Sequence, residues 1–142
     1  MSMLTLHYDV SGEDFGRAGE ASGDVKKQLK ALGFPPEVIH NVVIALYEGE
    51  INMVIHANGG TIDVDILPTE IHMVLQDHGP GIPDIEKAMQ KGFSTAPEQI
   101  RALGFGAGMG LPNIQKFTSS MNIESTVGKG TTLTLSVEVP TA

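Results

Sequence analysis

LGFGAGMGLPNIQKF, residues 103–117, places glycine at 104, 106, 108 and 110 and then runs directly into a helical pattern. So much backbone freedom serves a globular chain only where the main chain itself must touch something. Glycine-rich loops ahead of helices commonly hold phosphate, because free N–H groups and the helix dipole both face the anion. Two familiar forms do not fit. A G-x-G-x-x-G fingerprint counted from Gly106 needs glycine where Leu111 stands, and a P-loop ending at Gly128-Lys129 would have to begin at Ile123. Two readings stay open for this stretch alone. Either its amides wrap a phosphate tail, with the helix from Leu111 aimed at it and Pro112 suiting the first turn, or it is a flexible surface loop.

Working outward, LTLHYDV (4–10) alternates apolar and polar residues as a half-buried strand does. Residues 12–23 read as loose, with a helical pattern over 25–32 that Gly33 and Pro35-Pro36 stop. A long helix is predicted from about Glu37 to His56, closed by Asn58-Gly59-Gly60. TIDVDIL (61–67) and IHMVLQD (71–77) form a hairpin around Pro68-Thr69-Glu70. Asp84 caps a short helix, IEKAMQ, and 91–109 reads as a long mobile loop. A helix over about 111–118 precedes a second hairpin, MNIEST and TTLTLSVEV around Val127-Gly128-Lys129-Gly130. This order predicts an α+β fold: one domain over 1–142, a two-layer α/β sandwich whose mixed, mostly antiparallel sheet carries its helices on one face.

Composition narrows the function. The net charge of -8 argues against direct nucleic-acid binding, which needs a basic face. It also means that a polyanionic ligand needs a metal ion or aimed N–H groups to offset repulsion. There is no cysteine, which excludes disulfides, thiol catalysis and Cys-based zinc sites. No apolar run reaches membrane-span length and the start, MSMLTLHYD, lacks a signal-peptide pattern, so a cytoplasmic location is expected, with no membrane.

Two further stretches carry chemistry. In YEGEINMVIHA (47–57), Glu48, Asn52 and His56 recur every four residues and line one helix face beside a buried stripe. Asn52 offers a neutral amide oxygen suited to a magnesium ion that also shares phosphate oxygens and water. Glu48 could accept a proton from the group attacking a terminal phosphate, or be a solvated helix residue. His56 reads as satisfying carbonyls at the helix end, and Glu50 as surface. In DHGPGIPD (77–84), Asp77 ends a strand, and Gly79 and Gly81 would let a flat ring lie against the main chain. A carboxylate is acceptor-only, so Asp77 could hold adenine's amino group and repel guanine's carbonyl; the alternative is an Asx-type turn.

In this order, E-x-x-x-N (48–52), D-x-G-x-G (77–81) and G-x-G-x-G-L (106–111) resemble the gyrase/chaperone/histidine-kinase/MutL ATPase superfamily, over nearly the whole chain. The resemblance implies a Bergerat-type ATP-binding fold with a flexible lid, here 91–109. It implies Asn52 as the magnesium ligand and Glu48 as the general base. Asp77 would bind the adenine amino group, with Gly79 and Gly81 lining the ring and Thr131 supporting the pocket. Gly106, Gly108 and Gly110 would contact the phosphates of ATP. Arg101 and Lys91 lie in the lid, but their spacing assigns them nothing.

DHGPGIPDIEKAMQKGFSTAPE and GFGAGMGLPNI are similar to the single-domain anti-sigma-factor serine/threonine kinases and the stress-signalling switch kinases. Ala96 stands where anti-sigma members often carry lysine, which tilts the resemblance toward the switch-kinase branch. It implies phosphorylation of a serine or threonine on a small STAS-type antagonist protein, with a sigma factor as a further candidate partner and a homodimer left open. The rival expectation is a nucleotide-dependent anti-sigma or partner-binding regulator with little or no turnover.

Overall fold

A computed structural model describes residues 2–12, 18–56, 59–79 and 110–140. The short helix after Asp84, the lid over 91–109 and the glycines at 81, 106 and 108 lie outside the described residues.

The elements are β1 (Leu4–Ser11), α1 (Glu20–Ala31), α2 (Pro36–His56), β2 (Gly59–Ile66) and β3 (Glu70–Asp77), then α3 (Gly110–Phe117), β4 (Ser120–Thr126) and β5 (Gly130–Glu138). The strands form one sheet in the order β1-β2-β3-β5-β4. Each of these pairings is antiparallel. The expected α+β sandwich is therefore present, and its described sheet is antiparallel rather than mixed.

Period-two patterning sets the two faces of the sheet. Ile62, Val64 and Ile66 of β2, Ile71, Met73 and Leu75 of β3, and Leu133, Leu135 and Val137 of β5 are buried toward the helices. Val25 and Leu29 of α1, Val42, Ala45 and Leu46 of α2, and Ile114 of α3 close the same core. Each large apolar side chain so buried contributes about 1.5–3 kcal/mol. The opposite face is polar: His7 Nδ1 lies 2.6 Å from Asp63 Oδ1, and its Nε2 lies 3.5 Å from Asp9. No helix among the described residues is long and apolar enough to cross a membrane.

Helix boundaries follow local chemistry in two places and long-range chemistry in a third. Pro36 opens α2, where its missing N–H costs nothing. Gly33, at φ 82°, ends α1 in the left-handed conformation, with its N–H donated to Lys30 O at 3.1 Å. The start of α1 departs from expectation, since the helix begins at Glu20 within a stretch that reads as loose. Its N-cap is Gly19, at φ 99°, which offers no side chain. The missing cap comes from Glu50 of α2, which is not a surface residue: it is 2% exposed. Its carboxylate accepts the N–H groups of Gly19, Ala21 and Ser22 at 3.0, 3.2 and 3.1 Å.

Candidate functional site

Asp77 is the last residue of β3, and the main chain crowds it on both sides. Its partner in β2 is Gly60, where a Cβ would collide with Gln76 O. On the β5 side Gly130, at φ 134°, is bare for the same reason, since a Cβ there would collide with Asp77 O. Between these glycines the half-buried Asp77 side chain is fixed by two donors. Its Oδ1 accepts the N–H of Gly79 at 3.0 Å and that of Thr131 at 3.1 Å.

The first of these bonds is the Asx turn that the sequence allows, and it coexists with a bond to the distant β5. Both bonds fall on one oxygen, Oδ1, which fixes the orientation of the carboxylate. Thr131 is buried, with Oγ1 2.9 Å from Ser125 Oγ, which also donates to Gly130 O at 3.2 Å. Ser125 was not among the sequence candidates. The second hairpin could have found it, since it stands opposite Thr131 in the β4–β5 register.

Helix α2 is seated on the sheet by glycine as well. A Cβ on Gly49 would overlap Leu75 Cδ2, so this turn of α2 packs directly on a β3 side chain. One turn on, Met53 Cε would stand 2.7 Å from a Cβ on Gly60, the strand partner of Asp77. The segment of α2 that carries Glu48 and Asn52 therefore lies over the end of the sheet that carries Asp77.

Glu48 is half-buried, and burial pushes its carboxyl above the ordinary range. A hydrogen bond with the Asn113 side chain draws it part of the way back. Asn113 lies in the first turn of α3, which begins at Gly110 and buries Leu111 and Ile114. Pro112-Asn113 directly after the glycine run was the available signal for this contact. Asn52, one turn beyond Glu48, is also half-buried.

Of the sequence-predicted residues, Asp77, Gly79 and Thr131 are joined by hydrogen bonds. Glu48 meets the helix that Gly110 opens, and Asn52 shares its helix face. Among the described residues no group of three or more His, Asp or Glu side chains is placed to hold a metal ion. A magnesium site that takes one protein oxygen and completes its shell with phosphate and water would not form such a group, and the half-buried Asn52 carries an oxygen donor of that type.

The histidine kinase-like ATPase domain matches residues 16–137. An anti-sigma F factor of Caldanaerobacter subterraneus subsp. tengcongensis is 40% identical over 95 residues, covering 67% of this chain and 59% of that protein. The serine/threonine-protein kinase RsbT of Bacillus subtilis is 31% identical over 106 residues, covering 72% of this chain and 74% of that protein. The match thus spans less than two thirds of the anti-sigma F factor's length. A crystal structure of the RsbU and RsbW domains of a Mycobacterium tuberculosis protein superposes with a TM-score of 0.66 at 16% identity, covering 99% of this chain and 34% of that one. That likeness concerns the fold.

Proposed function

The chain belongs to the histidine kinase-like ATPase domain family, and from that premise we propose that it is an ATP-dependent serine/threonine protein kinase acting on a STAS-type antagonist protein in a sigma-factor partner-switching network. The observation that carries this is Asp77: a half-buried carboxylate at the end of β3 with Oδ1 pinned by two backbone N–H groups, which leaves Oδ2 as the oxygen we assign to the nucleotide. Oδ2 accepts a hydrogen from the adenine amino group, and Gly79 and Gly81 leave room for the ring. Thr131, packed on Ser125, supports that pocket.

Asn52 would hold magnesium, which would neutralise phosphate charge when bound. Gly106, Gly108 and Gly110 supply main-chain donors to the phosphates at the start of α3. Glu48 takes the proton of a serine or threonine hydroxyl on the partner. The hydroxyl oxygen bonds to the γ-phosphorus as the bridging P–O bond breaks, and ADP leaves with the bridging oxygen. Burial raises the affinity of Glu48 for a proton, the direction that makes a carboxylate a stronger base.

A second reading, a nucleotide-dependent regulator that binds a sigma factor or other partner with little turnover, is favoured by the 40% identity to an anti-sigma F factor. Transfer from γ-labelled ATP decides between them. Stoichiometric label on a serine or threonine of a STAS-type protein is the expected result. Complex formation without label would support the regulator.

A further inference from the structure

We propose that Glu50 is a positioning residue for the phosphoryl-transfer site: it ties the first turn of α1 to the middle of α2 and so fixes the rotation of the helix face that carries Glu48 and Asn52. This rests on the function proposed above.

The chemistry of the contact is specific. Glu50 is 2% exposed, and a carboxylate is held there only because donors surround it. Oε2 accepts from Gly19 and Ala21, and Oε1 accepts from Ser22. These are unpaired amides of a helix N-terminus, where the macrodipole also favours negative charge. No local side chain could serve, because the N-cap is glycine. The helix is fastened a second time, to the sheet, by Tyr8 Oη donating to Asp24 Oδ2 at 2.6 Å. Thus α1 is braced both on β1 and on Glu50 of α2.

The consequence lies in the geometry of α2. Consecutive helical residues are turned by about 100°, so positions 48, 49 and 50 address three neighbours. Glu48 meets Asn113 of α3, Gly49 presses on Leu75 of β3, and Glu50 grips α1. Apolar packing alone would tolerate a small roll of α2 about its axis. Three directional, charge-assisted bonds do not. A roll would carry Glu48 and Asn52 away from the phosphates, and a displacement on the order of 1 Å can cost about a hundredfold in rate.

The test uses the full chain with Glu50→Leu and Glu50→Gln. In transfer from Mg-ATP to the STAS substrate, Glu50→Leu should lower kcat by about ten- to a hundredfold while KM for ATP changes little. Glu50→Gln, which keeps one acceptor oxygen, should recover part of the loss. If Glu50→Leu does not fold, Glu50→Gln is read by the same split. A folded variant with wild-type kcat, or one whose only defect is in KM, would overturn the proposal.

Hydrogen exchange without nucleotide gives a readout independent of the kinase. In Glu50→Gln, exchange should accelerate at 48–52 as well as at residues 19–22. Acceleration confined to 19–22 would mean that Glu50 only caps α1. A wild-type chain inert toward every STAS protein, yet loosened at 48–52 by Glu50→Gln, would remove the kinase and keep the brace.

Discussion

Gly130 lies so close over Asp77 that a methyl group on it would collide with the Asp77 carbonyl oxygen. The Asp77 end of the candidate site is therefore built by β5 closing on the main chain of β3, and a glycine is the condition of that closure. Gly128, in the same turn, is also left-handed, at φ 83°, but has open space around it.

Alanine at these two positions separates conformational strain from collision. Gly128→Ala should cost about 1 kcal/mol, the usual penalty of a left-handed non-glycine residue. Gly130→Ala should cost at least about 2 kcal/mol more, because backbone rather than a side-chain tip must move. It should also weaken nucleotide binding. Urea denaturation measures the first effect and calorimetry the second. Equal losses at the two positions would show that β5 does not press on Asp77.

Glu48→Gln should retain nucleotide affinity and lose phosphoryl transfer by about a hundred- to ten-thousandfold, the range of a lost general base. Wild-type transfer should fall at low pH with a midpoint above that of an ordinary glutamate, because burial raises the Glu48 carboxyl. Stability runs the other way. The folded state holds the Glu48 proton more tightly than the unfolded state, so this group's contribution declines as pH rises from the ordinary glutamate value through the raised one. Glu48→Gln should therefore gain on wild type in thermal stability across that window, while a constant difference at all pH values would contradict the assignment.

On the open face of the sheet, the hydrogen bond to Asp63, and then the Asp63 and Asp9 charges, raise the pKa of His7 above the ordinary imidazole value. A raised histidine contributes stability in full below its unfolded pKa and loses it as pH rises through the folded one. Asp63→Asn should lower the His7 titration midpoint measured by NMR. An unmoved midpoint would show that the 2.6 Å contact is not maintained in solution.

Strong periodicity made most of the fold legible. β2, β3 and β5 alternate apolar residues cleanly, and the long apolar pattern of α2 ends within a residue of its predicted bounds. What escaped was non-local. Nothing near Gly19 announces a helix start, because the cap that allows it lies in Glu50, on another element. The same fact hid Glu50 itself: a glutamate two residues from a polar stripe looks solvated until its donors are placed. The turn at Asp77 was legible because strand, turn and glycine are adjacent in the chain, whereas its bond to Thr131 crosses 54 positions and was approached only through the family resemblance. Asn113 was missed because its partner, Glu48, is also distant in sequence.

Calorimetric titration with magnesium and adenine nucleotide, on wild type and Asp77→Asn, bears most directly on the nucleotide site. With Oδ1 committed to Gly79 and Thr131, an asparagine would turn its NH2 toward the adenine amino group, setting donor against donor. The expected result is saturable binding of ATP, weaker binding of GTP, and a loss of about ten- to a hundredfold in ATP affinity in Asp77→Asn. Equal affinity of the variant and the wild type for ATP, or no heat from the wild type at millimolar nucleotide, would contradict it.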